Sequence, residues 1–394
     1  MRVALVNLAH PPGAKTVEDT LSAARTLVEW SEALAAAGAE VYAVQGFSRD
    51  AEVVRGGVHY QLLAGPFQPY LHPLRLVGRI QARIAALMPE VVHVNSLLYA
   101  RQGHDLGRRL PTAGLVFQHH AERPHRRGLR RWLQRRWLRA ADALVWTGEA
   151  MAEPWRAASL VPSTAAVCAI AEASSRFVPA PDRHAARRAA GLEGDPLLLW
   201  LGNLDANKDP LTVLAGVEPV LAARPRARLL MCFNSAPLRA EVERRIADRP
   251  ILGRAVTLRG SVPYRALEPM IQAADLLVQG SHREGSGYAV LDALACGVLP
   301  VVTDLPSLSF LTGHGQIGAL WPPDAAGGLR AALDRVLARP LGPQQAAARA
   351  FFEHQLSYPV LAGQMLAVYR QARARGRARG LPLGAGKRKT VASR

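Results

Sequence analysis

The sequence predicts an α/β chain of two doubly wound, parallel-sheet domains that face each other across a cleft. Three observations carry this. At 394 residues the chain exceeds one ordinary core, so two domains of similar size are the default. Short apolar runs of strand length alternate with segments of helical periodicity. That alternation runs twice, interrupted over 162–196 by a Pro-, Ser- and Arg-rich stretch.

In the first half, residues 2–8 form a buried strand. A loop over 9–17 contains Pro11, Pro12 and Gly13, and a helix follows over 18–37, ended by Gly38. EVYAVQGF is the next strand. The helix 75–87 leads to the strand VVHVN at 91–95, and the helix 101–109 to GLVFQHH at 114–120. A basic helix over 127–140 precedes ALVWT at 143–147. After the 162–196 stretch, which holds one short helix, the pattern restarts with LLLWLGN, helix 210–224, ARLLMCF, helix 237–247 and AVTLRG. Helix 264–273, DLLVQ, a Gly-rich turn with its helix, VLPVV and helix 324–338 complete it. Each half is therefore Rossmann-like. The expected division is 1–170, 171–342, a helical segment 343–372 returning to the first domain, and a basic disordered tail 373–394.

An apolar content of 49% with mean hydropathy near zero describes a chain with a large core. No apolar run approaches the roughly 18 residues that span a bilayer. The N-terminus MRVALVNLAH lacks the succession of a signal peptide. Cys168, Cys232 and Cys296 are odd in number and far apart, which fits a reducing compartment without disulfide or zinc framework. The cytoplasm is the expected location, with the inner membrane face as a peripheral option. The formal charge of +18 is concentrated: residues 370–394 hold nine Lys or Arg and no acid, and 123–139 hold eight arginines and no acid. A tail of this kind gives unspecific phosphate affinity, and no reader module or row of stacking aromatics accompanies it, so no specific nucleic-acid partner is expected.

The most informative stretch is SHREGSGYAVLDALACGVLPVVTD at 281–304. Glu284 opens the turn Gly285-Ser286-Gly287, a helix starts near Tyr288, and Asp292 lies two turns in. Backbone N–H groups at such a helix start favour negative charge, and two acids flanking them suit sugar and ribose hydroxyls. In the other informative stretch, Asn203 closes the strand LLLWLGN. Lys208 stands just before Asp209, a candidate N-cap, and Pro210, a candidate first helical residue. A lysine there reinforces the positive helix end and can clamp a diphosphate.

With these pieces in view, the C-terminal half resembles the retaining glycosyltransferases of family 4, which have the GT-B fold. The similar segments are WLGNLDANKDPLTVL, VTLRGSVP, ADLLVQGS and REGSGYAVLDALACGVLPVV; the last resembles the family's E-x7-E element. Weaker similarity runs through VFQHHAERP and ADALVWTGEAM in the N-terminal half.

The resemblance implies transfer of a sugar from a UDP-, GDP- or ADP-type donor, with retention, to an unspecified acceptor. Glu284 would meet donor-sugar hydroxyls, the amides of Gly285, Ser286, Gly287 and Tyr288 the sugar and distal phosphate, and Asp292 the ribose. Lys208 would hold the diphosphate, and His120, with His119 the weaker candidate, would face the donor from the first domain. Gly13 would let backbone approach donor or acceptor. Two departures stand out. Asp292 replaces the second Glu, and Asn203 replaces an arginine that pairs with the lysine, so Arg259 or Arg283 is a candidate to compensate. No D-x-D pair occurs, so neither a metal nor another cofactor is expected.

Two other readings of the same site stay open, a degenerate sugar-nucleotide binder and a GT-B epimerase. The basic helix GLRRWLQRRWLRA, with Leu129, Trp132 and Leu133 along one stripe, either rests on an anionic membrane together with the tail or packs its stripe on the sheet.

Overall fold

Runs rich in Val, Leu and Ala, buried on both faces, build the central strands, and helices cover them. The computed structural model describes residues 1–9, 13–64, 74–120, 122–125 and 127–380, without the side chains of 74–77 and Gly380. The first sheet has eight strands: β1 Arg2–Asn7, β2 Glu40–Phe47, β3 Ala51–Arg55, β4 Val58–Ala64, β5 Val91–Asn95, β6 Gly114–Gln118, β7 Ala143–Trp146 and β8 Ala166–Ala169. Their order is β3-β4-β2-β1-β5-β6-β7-β8, parallel except for the edge hairpin β3–β4. The second sheet holds β9 Leu197–Gly202, β10 Arg228–Phe233, β11 Val256–Gly260, β12 Leu276–Gln279, β13 Leu299–Thr303 and β14 Ala319–Trp321. It is wholly parallel in the order β11-β10-β9-β12-β13-β14. Both sheets are the doubly wound arrangement that the alternation predicts.

The strands that the sequence reading lacks are β3, β4, β8 and β14. The first two form a two-strand ribbon around Gly56-Gly57, and β8 is four half-buried residues inside the stretch read as linker. The helix expected over 18–37 is two helices, Val17–Ala23 and Arg25–Ala36, broken at Ala24. Thr16 and Asp19 form a capping box at its start.

The chain divides into two units, Met1–Glu172 together with the chain from Leu361, and Ala173–Val360. The end of the chain departs from expectation in two ways. The stretch expected to be one helical segment over 343–372 is a helix Leu341–Phe351, a π-turn Phe352–Leu356 and a second helix Tyr358–Gly380. The part before Leu361 belongs to the second unit, where Arg349 donates to the Ala295 carbonyl and Ser174 Oγ to the Leu356 carbonyl at 2.5 Å.

The last helix also continues through residues 373–380, which were expected as disordered tail. Arg373 and Arg377 reach Glu90 at 2.8 and 3.1 Å, Arg375 donates to the Asp142 carbonyl at 2.6 Å, and Arg379 pairs with the buried Asp142 carboxylate. Close backbone approach requires two glycines here. A Cβ on Gly114 would stand 2.4 Å from the Ala372 carbonyl carbon, and one on Gly376 would stand 2.6 Å from the Ala113 carbonyl. The rest of the expected tail, 381–394, lies outside the described residues, as do Pro11 and Pro12. No helix among the described residues is long and apolar enough to cross a membrane.

Candidate functional site

Parallel strands deliver the residues after their carboxyl ends to one edge of the sheet. In the second unit, β10, β9 and β12 are neighbours, with Gly202 in register with Phe233. Residues beyond these three ends border a cavity of about 350 Å³, walled by Asn203, Lys208, Phe233, Asn234, Glu284 and Tyr288 among others. Asp209, at φ 42°, caps the helix Pro210–Ala223 by accepting from the Thr212 N–H at 3.2 Å, and Pro210 takes the first helical position. The turn before it is tied by the Lys208 N–H to Asp205 Oδ1 at 2.9 Å. That geometry aims Lys208 across to the β12 end, where its Nζ pairs with the Glu284 carboxylate and donates to Ser281 Oγ at 3.2 Å.

The Glu284 turn is held from behind. Ser307 Oγ donates to the Glu284 carbonyl at 2.7 Å and Thr303 Oγ1 to the Ser281 carbonyl at 2.6 Å. Gly287, at φ +64°, occupies the left-handed position before the helix Tyr288–Ala295, and a Cβ there would meet Leu311 Cδ1 at 2.4 Å. Gly285 is buried and Ser286 half-buried in the same turn. Asn203 Oδ1 accepts the Ser235 N–H at 3.2 Å, which fixes the orientation of its amide.

Asp292 lies on the helix Tyr288–Ala295. It is buried and does not wall the cavity; its Oδ1 accepts from Ser175 Oγ at 2.5 Å and from the Tyr264 hydroxyl at 2.9 Å. A side chain one methylene shorter than Glu stays near its own helix, and here two hydroxyls of the same unit engage it. Arg259 and Arg283 are exposed. Arg259 is on β11, and Asn207 Nδ2 donates to the Arg283 carbonyl at 3.2 Å. One group of three side chains within reach of a single cation occurs among the described residues: His282 Nε2 lies 3.3 Å from Asp209 Oδ2 and 3.6 Å from Asp324 Oδ1. Asp209 Oδ1 is at the same time committed to the helix cap.

The first unit places His119 and His120 just past β6. His119 is buried, edge-on to Trp155 with ring centres 5.8 Å apart, and its Nε2 lies 2.9 Å from the Glu122 carbonyl. Burial pushes its pKa down, against the nearby Glu122 charge. His120 is partly exposed, with Nδ1 on the Glu172 carboxylate and Nε2 at 2.5 Å from Asn95 Oδ1. Burial works against its charge, but the hydrogen bond and charge of Glu172, with Glu122 behind, hold its pKa above the ordinary value. His93, on β5, is fully buried and pushed down to about 3 by that burial, with the His120 charge adding to it. Gly13 stands at φ +79° in the loop after β1, and no atom of the described residues lies within 4 Å of where its Cβ would be, so backbone angle selects glycine.

The sequence reading missed Ser281, Phe233, Asn234, Asn95, Glu122 and Glu172. Asn95 and Asn234 had an available signal, because each ends or follows an apolar strand run. Glu172 had none, because the strand that precedes it, β8, was not legible.

Residues 23–167 match the family model described as Glycosyltransferase Family 4, and residues 182–351 the model described as Glycosyl transferases group 1. The chain is 32% identical over 152 residues to a D-inositol 3-phosphate glycosyltransferase of Thermobispora bispora, spanning 36% of this chain and 35% of that one. The chain thus matches about a third of that relative's length. Among solved structures it is similar to a sucrose-phosphate synthase from Thermosynechococcus elongatus, with TM-score 0.70, 23% identity, and 95% and 99% of the two chains covered. It is also similar to Anabaena HepE solved with UDP-glucose, with TM-score 0.67, 14% identity, and 94% and 99% covered. These likenesses establish the GT-B fold, two Rossmann-like parallel-sheet domains.

Proposed function

The chain belongs to the family 4 glycosyltransferases, and from that premise we propose that it moves a sugar from a nucleoside-diphosphate sugar to an acceptor, with retention and without a bridging metal. The observation that carries this reading is the Lys208–Glu284 pair at the wall of the strand-end cavity, beside the glycine turn that starts a helix. A diphosphate entering the cavity competes with Glu284 for the Lys208 ammonium. Lys208 then offsets charge on the departing diphosphate, and Glu284 is released to accept from donor-sugar hydroxyls and to face the positive charge developing at the anomeric carbon. Asn203 contributes a dipole where the family commonly has an arginine. The base lies towards Phe233 and Asn234, and His120 keeps the donor-sugar role that the family resemblance implies. The hydroxyls of Ser175 and Tyr264 both hold Asp292 at Oδ1, and the ribose role falls to its other oxygen.

The test is a thermal-shift screen of UDP-, GDP- and ADP-sugars and the free diphosphates, followed by diphosphate release with and without EDTA. One nucleotide row raising Tm is expected, since a ligand at 100 times its Kd stabilises by about 2.7 kcal/mol. Release unchanged by EDTA is expected as well. No shift in any row overturns the donor reading, and loss of release in EDTA overturns metal independence and points to the Asp209–His282–Asp324 group.

The acceptor side has its own observation. On the helix Gly128–Leu138, Leu129 is 70% and Trp132 55% exposed, among Arg127, Arg130, Arg135 and Arg136, while Leu138 is buried. Part of the apolar stripe packs on the domain and part does not. Exposed Leu and Trp among arginines fit an anionic bilayer surface, and hence a lipid-linked acceptor. Flotation with phosphatidylglycerol vesicles, lost in the Leu129→Ala/Trp132→Ala variant and absent with phosphatidylcholine, is the expected result. Equal flotation of the variant overturns it.

A further inference from the structure

Two of the partners of His120, Asn95 and Glu172, lie outside the segment VFQHHAERP that contains it. Glu122 and Glu172 approach it from two sides, and Asn95 from a third. His120 backbone N–H donates to Glu122 Oε2 at 2.6 Å, and Glu122 Oε1 accepts from the Leu97 N–H at 3.0 Å and Ser96 Oγ at 2.5 Å. Nδ1 meets the Glu172 carboxylate and Nε2 meets Asn95 Oδ1 at 2.5 Å. Two acceptors on the two ring nitrogens are both satisfied only when both nitrogens carry protons, as in the imidazolium.

Glu172 has the matching requirement. Its side chain is 5% exposed, and a carboxylate that deep is costly without a cation or several donors. Its backbone is fixed as well, because Trp30 Nε1 donates to the Glu172 carbonyl at 2.5 Å. Among the described residues, the remaining titratable groups around the ring are His119 on the same segment and His93 on β5, both driven towards the neutral form by burial. Two carboxylates and two neutral imidazoles therefore face His120. The pair is reached because β8 lies two strands from β6, so residues past both carboxyl ends come together.

We infer that Glu172 is a positioning residue for sugar transfer: through Nδ1 it fixes the His120 ring and keeps it charged, so that Nε2–H passes from Asn95 Oδ1 to a substrate oxygen as a cationic donor. This rests on the reading of His120 as donor-facing. Because the folded pKa is raised, the charged form is complete below the ordinary histidine value and is lost as pH rises through the folded one. Activity accordingly falls on the alkaline side.

The test combines an NMR titration of the His120 ring with pH–rate profiles on whichever nucleotide sugar stabilises the protein, in wild type, Glu172→Gln, Glu172→Asp and His120→Ala. In wild type the His120 pKa should exceed 6.5. Glu172→Gln should lower it by about 1–3 units, move the alkaline limb of kcat/KM with it, and reduce kcat more than it raises KM. Glu172→Asp should restore part of both. A wild-type His120 value at or below 6.5 overturns the inference without any variant having to fold. A folded Glu172→Gln that leaves the alkaline limb in place overturns it too. Unchanged turnover in folded His120→Ala overturns instead the donor-facing reading on which it rests.

Discussion

Lys208–Glu284 in the second unit and His120–Glu172 in the first are both ion pairs beyond the carboxyl ends of parallel strands, yet they are built in opposite ways. The lysine reaches its partner on a flexible stem at the wall of a cavity and shares it with one hydroxyl, Ser281. The imidazole is held at both ring nitrogens and at its own backbone N–H. The first pair can be opened by a ligand, whereas in the second a ligand competes for Asn95 at Nε2 and leaves the Glu172 contact at Nδ1 in place. A third pair, Arg187–Asp275, marks the purely structural limit. Both side chains are buried, the guanidinium also donates to the Ala273 carbonyl at 2.9 Å, and the carboxylate also accepts the Leu197 N–H at 2.8 Å. A pair that can be exchanged suits a charged substrate, and a locked one suits orientation.

Mutagenesis can break or sharpen this ordering. Arg187→Ala should have the largest effect, a loss of about 3–5 kcal/mol of unfolding free energy read from urea midpoints, because Asp275 is left buried without its cation. A loss below about 1 kcal/mol would erase the contrast between the structural pair and the other two. Next comes Lys208→Ala, expected to cut turnover by about 10²–10³ while leaving the circular-dichroism spectrum and Tm near wild type. Full turnover in that folded variant breaks the assignment of the exchangeable pair. The smallest effect is that of Glu172→Gln, about tenfold in kcat/KM on the alkaline side for each unit by which the His120 pKa falls. An equal loss at every pH would make Glu172 a packing residue and remove it from the comparison.

How much of this was legible in the sequence divides along the same line. The strands flanking the second-unit site, the Asp209 cap, Pro210 and the glycine turn at 285–287 all write their structure into neighbouring residues, through periodicity, capping and left-handed backbone. The helix that runs on to Gly380 was hidden by its composition. Arginine, alanine and glycine without acids read as tail, and the acids that hold Arg373, Arg377 and Arg379 are Glu90 and Asp142, far away in the chain. Asp292 was legible as an acid at the right spacing but not as one engaged by Ser175, 117 residues before it.

By itself, then, the sequence determined two parallel-sheet domains, the placement of Lys208 and Glu284 just past strand ends, and the turn between strand and helix, because each is specified by contacts a few residues long. Only the tertiary structure decided which carboxylate holds His120, where the Asp292 carboxylate turns, and that the basic helix at the chain end docks on the first unit. Those outcomes depend on which strands become neighbours, β6 with β7 and β8, and β9 with β10 and β12. Strand order brings side chains together across tens to hundreds of residues, and no periodicity along the chain encodes it.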